Sequence, residues 1–153
     1  MFNVVLVEPE IPPNTGNVGR LCLATGSRLH LVKPLGFSVD DRQLRRAGMD
    51  YWAKISVSYW QNLGQFDQAT ACLSRRFLFT TKAKRPYWEI RFAAGDYLVF
   101  GRETKGLPES FLAGYTESCF TIPMLAGARS LNLATSVAIV LFEAVRKLGY
   151  VRE

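Results

Sequence analysis

A chain of 153 residues is long enough for one enzyme domain and too short for two ordinary ones. With 48% hydrophobic and 21% charged residues, its composition is that of a globular protein and excludes a disordered or collagen-like chain. Nineteen Lys and Arg against thirteen Asp and Glu give a formal charge of +6, which favours a polyanionic partner, most often nucleic acid.

The cysteines and the apolar runs indicate the cellular compartment. Cys22, Cys72 and Cys119 are widely spaced and form no CxxC pair, a pattern that favours reduced thiols over a disulfide framework or a zinc site. The apolar run Phe2–Val7 is interrupted at once by Glu8, and no stretch approaches the ~18 apolar residues of a membrane span. We therefore expect a soluble, cytoplasmic protein without a membrane or metal partner.

Strand-like and helix-like segments alternate along the chain, and no repeat or linker divides it. In chain order the predicted elements are strand Phe2–Val7, helix Asn14–Thr25, strand Leu29–Val32, helix Asp40–Gly48, strand Lys54–Val57, helix Leu63–Leu73, strands Phe77–Thr80, Tyr97–Phe100 and Ser118–Ile122, and helix Leu131–Leu148. Asn14 and Ser130 are the predicted N-caps of the first and last helices. This order predicts one α/β domain over residues 1–153, with a mostly parallel sheet covered by helices on both faces.

The last predicted helix is apolar around most of its circumference. A helix that packs on one sheet face needs only one apolar stripe. Its apolar residues are Leu131, Leu133, Ala134, Val137, Ala138, Ile139, Val140, Leu141, Phe142 and Val145. Either this helix is deeply buried or its outer side meets a second subunit, and we favour a homodimer.

Several kinds of active site are excluded by missing residues. The only histidine, His30, lies inside a predicted strand, so His-based triads and metal clusters are disfavoured and a structural role is expected. The sequence contains no GxSxG, no GxxxxGK[ST] and no GxGxxG between the first strand and helix, which excludes the hydrolase elbow, the P-loop and the standard dinucleotide site.

Three loops that follow predicted strands remain as candidates, because ligands of parallel sheets lie beyond the carboxyl ends of the strands. In Glu8–Arg20, three prolines stiffen the chain, and Arg20 is either a phosphate ligand or a surface arginine. In Phe100–Pro108, Glu103 is a lone acid that neighbouring cations are expected to hold. The third loop, Ile122–Asn132, consists mostly of small and apolar residues, which suit an adenine ring or a thioether. Its Asn132 is expected to be a buried amide that needs a hydrogen-bond partner.

Basic residues form two clusters. One helical face carries Arg42, Arg45 and Arg46, and a second group flanks the strand at residues 77–80, with aromatic residues immediately after it. The second group consists of Arg75, Arg76, Lys82, Lys84 and Arg85, followed by Tyr87 and Trp88. Cations beside aromatic rings suit single-stranded RNA, whose unstacked bases can lie on the rings.

Taken together, the three loops resemble the SPOUT-class RNA methyltransferases, and within them the SpoU branch that methylates ribose 2′-hydroxyls. The resemblance covers essentially the whole chain and is strongest to small, single-domain enzymes that act on the wobble nucleotide of tRNA. It rests on the order and spacing of these motifs: Glu8-Pro-Glu-Ile-Pro, Asn14-Thr-Gly-Asn-x-x-Arg20, Pro34-Leu-Gly-Phe, Leu44-Arg-Arg, Thr80-Thr-Lys82, Phe100-Gly-x-Glu-Thr-x-Gly106, Ile122-Pro-Met124 and Arg129-Ser-Leu-Asn-Leu133.

The resemblance implies a fold, a cofactor and a site. It implies a C-terminal trefoil knot, which ordinary topology rules would exclude, a homodimer, and S-adenosylmethionine bound in a bent form by the knot loops, with the anticodon loop of tRNA as substrate. By position, the cofactor site comprises Phe79, Thr80, Gly101, Ile122, Ser130 and Leu131. The implied catalytic residue is Arg20, supported by Asn14, Glu103, Ser130 and Asn132.

Three departures from the family pattern concern the rim of the site and the last helix. Arg102 stands where relatives often carry proline and adds a positive charge at the rim. On the last helix, Leu133-Ala-Thr-Ser136 replaces the more usual Leu-Ser-Asn-Ser/Ala, and Phe142 replaces a frequent tyrosine. We expect the two departures on the last helix to alter the dimer contact or tRNA recognition without abolishing methyl transfer.

The residues leave the proton acceptor and the class of function open. Arg20 can lower the pKa of the ribose hydroxyl, orient it or briefly take its proton, and Glu103 is the competing base. Alternatives to a wobble-nucleotide enzyme are a 2′-O-methyltransferase on another RNA, a non-catalytic RNA-binding protein of the same fold, and a flavodoxin-like nucleotide-binding module.

Overall fold

The computed structural model describes residues 1–40, 42 and 50–149. Within these residues, six strands form one wholly parallel sheet in the order β3-β2-β1-β5-β4-β6. The strands are β1 Asn3–Val7, β2 Arg28–Val32, β3 Val57–Trp60, β4 Arg76–Phe79, β5 Tyr97–Phe100 and β6 Cys119–Phe120. The α-helices are α1 Pro12–Thr25, α2 Leu63–Thr70, α3 Glu109–Gly114 and α4 Leu133–Lys147, with 3-10 turns at Trp52–Lys54, Tyr87–Glu89 and Thr116–Ser118. The predicted α/β class with a parallel sheet is confirmed.

Both faces of the sheet are covered, as the continuously apolar strands predicted. In β1, Val4 and Leu6 enter one core with α1 and α4, whereas Val5 and Val7 enter a second core with α2 and α3. Each fully buried valine or leucine side chain stabilises the fold by about 1.5–3 kcal/mol. The strands at the centre of the sheet therefore form a rigid base for the loops at their ends.

Helix α1 begins two residues earlier than predicted. Its N-cap position is Ile11, which makes no side-chain cap, and prolines occupy the first helical positions, where a missing N–H costs nothing. The prediction that Asn14 caps this helix is therefore wrong. The predicted stop is confirmed, because Gly26 has φ +63° and its N–H reaches the carbonyls of the last turn.

The third strand also lies elsewhere than predicted. Lys54 belongs to a 3-10 turn, and β3 covers Val57–Trp60 instead of residues 54–57. Ile55 is 8% exposed and packs against Gly19 of α1, so its apolar character serves helix packing and not the sheet. The predicted helix Asp40–Gly48, with Arg45 and Arg46, lies largely outside the described residues.

Helix α4 is buried along one side only. Val137, Val140, Leu141 and Ala144 face the core, whereas Phe142 on the outer side is 48% exposed. Of the described helices, none is long and apolar enough to cross a membrane. The N-cap of α4 is Asn132 and not Ser130 as predicted, because the Asn132 Oδ1 accepts from the backbone N–H of Thr135 at 3.2 Å.

Candidate active site

A cavity of about 430 Å³ lies at the carboxyl ends of β1, β4, β5 and β6. Its volume falls within the range of small-molecule sites. Loops that follow these strands line it, with Ile11 and Asn14 from the first, Gly101–Leu107 from the second and residues of 121–133 from the third. The three candidate loops of the sequence therefore meet at one place.

Nine of the ten residues to which the resemblance assigns a role line this cavity. They are Asn14, Phe79, Thr80, Gly101, Glu103, Ile122, Ser130, Leu131 and Asn132. The tenth, Arg20, does not line it. Arg20 lies six residues beyond Asn14 on α1, a distance of about 9 Å along a helix axis.

The carboxylate of Glu103 is held by the first loop. Its Oε2 accepts from the backbone N–H of Glu10 at 2.8 Å, and its Oε1 accepts from the backbone N–H of Ile11 at 3.1 Å and from the Asn14 side chain at 3.3 Å. The expectation that the neighbouring cations hold Glu103 is therefore wrong. Amide donors hold it, and both of its oxygens are engaged.

Asn14 connects this arrangement to the third loop. Its side chain is 6% exposed, and its Oδ1 accepts from the Nδ2 of Asn132 at 2.9 Å. Asn132 itself is exposed and caps α4, so the buried amide is Asn14 and not, as expected, Asn132. Proline at the start of α1 makes this possible, because the helix needs no side-chain cap and Asn14 is free to bond across the site.

Two further contacts join the second loop to the first. Glu10 Oε1 accepts from the hydroxyl of Thr104 at 2.7 Å and from its backbone N–H at 3.1 Å, and these hydrogen bonds hold the pKa of the Glu10 carboxyl below its ordinary value. Arg102 forms an ion pair with Glu8. The positive charge that Arg102 was expected to add at the rim is therefore neutralised by Glu8.

Two glycines permit the tight path of the second loop. A Cβ on Gly101 would lie 2.1 Å from the carbonyl carbon of Gly106, so no larger residue fits without movement of backbone. Gly106 has φ +65° and donates its N–H to the carbonyl of Arg102 at 2.9 Å. Glu8 also has a positive φ, +53°, where β1 turns into the first loop.

The basic cluster next to β4 is largely used for structure. Arg76 is 7% exposed and is ion-paired with Asp67, and Arg75 is paired with Asp96 at 2.7 Å. Lys82 at the cavity edge is paired with Glu109 at 2.6 Å. The prediction that this group suits RNA binding is therefore wrong for Arg76, which is buried, whereas the side chains of Arg75 and Lys82 remain more than half exposed.

The contacts of His30 support the structural role expected for it. It is 3% exposed, its Nδ1 accepts from the indole N–H of Trp60 at 3.1 Å, and its Nε2 lies 3.0 Å from the Oδ1 of Asn3. Burial, with a smaller contribution from the charge of Arg28, lowers its pKa to about 4. In the described ranges, no group of three His, Cys, Asp or Glu residues is placed to hold a metal ion.

Sequence reasoning missed Glu10, Thr104 and Tyr51. The Tyr51 ring lies under the Arg20 guanidinium at 5.5 Å from the ring centroid, and its hydroxyl donates to the Gly16 carbonyl at 2.6 Å. Glu10 lies in the first candidate loop and Thr104 in the second, and both stand within motifs of the family, so the sequence did contain a signal for them. Tyr51 lies outside every candidate loop, and no local pattern indicated its contact with α1.

Comparisons with known proteins identify the family of this chain. The chain matches the SpoU rRNA Methylase family over residues 1–142. It is 49% identical over 158 residues to the tRNA (cytidine(34)-2'-O)-methyltransferase of Photorhabdus asymbiotica, covering 98% of this chain and 96% of that one.

Two solved structures are also similar. One is described as "Structural insights into the 2-OH methylation of C/U34 on tRNA" (TM-score 0.90, 42% identity, 97% of each chain). The other is an AdoMet-bound rRNA methyltransferase from Sinorhizobium meliloti (TM-score 0.82, 27% identity). The match covers 96% of this chain and 56% of that one. Since the family match covers most of the chain and a close relative aligns along nearly all of it, this chain belongs to the SpoU rRNA methylase family.

Proposed function

We propose that this protein transfers a methyl group from S-adenosylmethionine to the ribose 2′-hydroxyl of nucleotide 34 in tRNA, where that nucleotide is cytidine or uridine. The observation that carries the proposal is the cavity at the carboxyl edge of the sheet, which collects nine of the ten residues assigned by resemblance. The names of the similar proteins that act on C34 or C/U34 of tRNA support the choice of substrate.

The cavity fits the cofactor in its chemistry. Apolar side chains of Ile122, Leu131 and Leu107 can accept an adenine ring, and the close approach of Gly101 to Gly106 leaves backbone groups at the wall. Phe79, Thr80 and Ser130 complete the proposed binding set. When bound, S-adenosylmethionine supplies a methyl group on a positively charged sulfonium, which is an activated electrophile.

The protein's own residues then have to align the hydroxyl, whose proton leaves to solvent water as the oxygen–methyl bond forms. Glu103 accepts three hydrogen bonds from amide donors of the first loop, so we assign it to holding that loop and not to proton transfer. Arg20 lies on the exposed side of α1, outside the cavity lining, where it meets RNA and not the cofactor. We assign Arg20 to orienting the ribose through the adjacent phosphate and stabilising the developing oxyanion.

A homodimer accounts for the exposed apolar residues of α1 and α4. These two helices pack against each other on one face of the sheet. Their outer sides expose Leu23 at 43% and Phe142 at 48%, and Ile11 at the start of α1 is 44% exposed. A second copy of the chain covering this face would bury all three.

We also infer the C-terminal knot and the single domain. The edge strand β6 is followed by residues 121–132, which return across the sheet to α4 beside α1 and β5. Residues of this return line the same cavity as the loop 101–107, which supports a knot formed by these two segments. Every described strand joins one sheet, which supports one domain over residues 1–153, and a tRNA substrate supports a cytoplasmic location.

The test is methyl transfer to tRNA that lacks ribose methylation. Labelled S-adenosylmethionine is supplied, and the product is digested to nucleosides and mapped by mass spectrometry. We expect a 2′-O-methylated pyrimidine at position 34. In the Arg20→Ala variant we expect turnover to fall by at least about 100-fold, with cofactor affinity unchanged, because the lost interaction acts only on the reacting ribose.

The matched control is Arg28→Ala, which removes an exposed arginine at the opposite, amino-terminal edge of the sheet. It should retain full turnover. Near-normal turnover of Arg20→Ala would refute the role of Arg20. Methylation at another RNA position would refute the wobble assignment, and cofactor binding without transfer to any RNA would favour a non-catalytic protein of this fold.

A further inference from the structure

Arg20 has little to hold its side chain in place. It is exposed on α1, and in the part of the chain that the structure describes no carboxylate pairs with its guanidinium. A long, solvated arginine samples many rotamers, and the cost of ordering it would fall on the reaction step. The contact that restricts Arg20 is the face of the Tyr51 ring, whose centroid is 5.5 Å from the Arg20 Cζ.

Tyr51 is itself fixed to the same helix. Its hydroxyl donates to the carbonyl of Gly16 at 2.6 Å, and Gly16 lies one helical turn before Arg20 on the same face. Burial raises the pKa of the Tyr51 phenol, although the charge of Arg20 opposes the shift, so the hydroxyl remains protonated and able to donate. The ring is therefore anchored at a fixed distance from the point where the Arg20 side chain leaves α1.

The absence of a side chain at Gly19 lets the segment that follows Tyr51 pack closely against α1. A Cβ on Gly19 would lie 2.6 Å from the Cδ1 of Ile55 and 3.2 Å from the ring of Trp52. Trp52 and Ile55 are 9% and 8% exposed. Because this packing leaves no room for a side chain at Gly19, it holds the segment 51–55 tightly to α1 and keeps Tyr51 beside Arg20.

We propose that Tyr51 is a positioning residue that sets the place and orientation of the Arg20 guanidinium for its contact with the substrate ribose and phosphate. The proposal rests on the function proposed above, in which Arg20 acts on the RNA. Tyr51 does not line the cavity, so it has no direct part in holding the cofactor. Its effect should appear in the rate of the methyl-transfer step and not in binding of S-adenosylmethionine.

The test compares Tyr51→Leu, which removes the ring and the hydroxyl, with Tyr51→Phe, which keeps the ring and loses the anchor to Gly16. The measurement is the single-turnover rate of methyl transfer to tRNA at saturating cofactor, with cofactor affinity measured by calorimetry. We expect a rate loss on the order of tenfold for Tyr51→Leu and about threefold for Tyr51→Phe, since small misplacement of a catalytic group is costly. Tyr59→Leu, at a tyrosine that is 41% exposed in β3, is the matched control and should leave the rate unchanged.

A double-mutant cycle separates positioning from a general structural role. In an Arg20→Lys background, which lacks the planar guanidinium, Tyr51→Leu should lower the rate by less than about twofold, because nothing remains for the ring to orient. Full loss in both backgrounds, or no loss in Tyr51→Leu, would overturn the proposal while leaving the proposed function intact. Normal turnover of Arg20→Ala would overturn the proposal together with the role of Arg20, whereas absence of methyl transfer by the wild type would overturn the proposed function. If Tyr51→Leu does not fold, the same cycle with Tyr51→Phe decides.

Discussion

Acidification should destabilise this protein through one buried histidine. The imidazole of His30 accepts a hydrogen bond from Trp60 at Nδ1, and its Nε2 faces the carbonyl oxygen of the Asn3 side chain. A single neutral tautomer, with the proton on Nε2, satisfies both contacts. Protonation of Nδ1 would place its N–H against the indole N–H of Trp60. Because His30 is only 3% exposed, water cannot relieve this repulsion.

The magnitude follows from the pKa of His30, which burial lowers from 6.5 to about 4. The unfolded chain therefore binds more protons than the native protein below pH 6.5, so the free energy of unfolding falls as pH falls through this window. The full difference is about 3 kcal/mol, of which about 2 kcal/mol is lost between pH 7 and pH 5. Above pH 6.5 the contribution is complete and the dependence disappears.

The assay is urea denaturation followed by far-UV circular dichroism at pH 7, 6 and 5, at one fixed protein concentration since association would shift the midpoint. Wild type is compared with His30→Gln, which cannot titrate and retains a donor and an acceptor. Carboxylates titrate equally in both proteins, so the difference in slope isolates His30. If both proteins lose the same free energy of unfolding from pH 7 to pH 5, the assignment of a buried neutral imidazole is wrong.

Two further predictions concern the site. Gly101→Ala should abolish cofactor binding in calorimetry, because the added Cβ would lie 2.1 Å from the carbonyl carbon of Gly106. The control Gly114→Ala, whose added Cβ would meet nothing within 4 Å, should bind the cofactor normally. Equal affinities of the two variants would show that the loop can move to accommodate the Cβ. Asn132→Asp keeps the acceptor that caps α4 and loses the donor to Asn14. It should therefore lower the free energy of unfolding by about 1–3 kcal/mol, since the Oδ1 of the buried Asn14 loses its donor, and turnover should also fall. Retained turnover would show that this hydrogen bond is dispensable for catalysis.

Patterns that depend on local chemistry were readable from the sequence. The continuously apolar runs of β1 and β5 predicted strands covered on both faces, and Gly26 and Gly149, with φ +63° and +67°, end their helices as expected. The three loops were recognised as site candidates because parallel strands bring their carboxyl ends to one edge. Predicting these features requires only the neighbouring residues along the chain or the general geometry of a parallel sheet.

The errors arose where a distant residue decides what a side chain does. Asn14 is a good N-cap residue by type, but Glu103 and Asn132, 89 and 118 positions away, take up its side chain. Arg76 sits in a basic run, yet Asp67 and the ring of Tyr115 enclose it. No local pattern distinguishes such an arginine from a solvated one, because burial is a property of the assembled fold.

The hydrogen bonds of Glu103 also bear on the choice between the two candidate proton acceptors. A carboxylate that took the hydroxyl proton would lose its charge, and the charge-assisted hydrogen bonds that it accepts would weaken. Glu103 accepts from two backbone N–H groups and one side-chain amide, so protonation would loosen the first loop at the moment when it must be rigid. A sulfonium methyl group needs alignment of its acceptor more than a strong base. The arrangement therefore favours Glu103 as the fixed support of the first loop and leaves the chemistry at the ribose to Arg20.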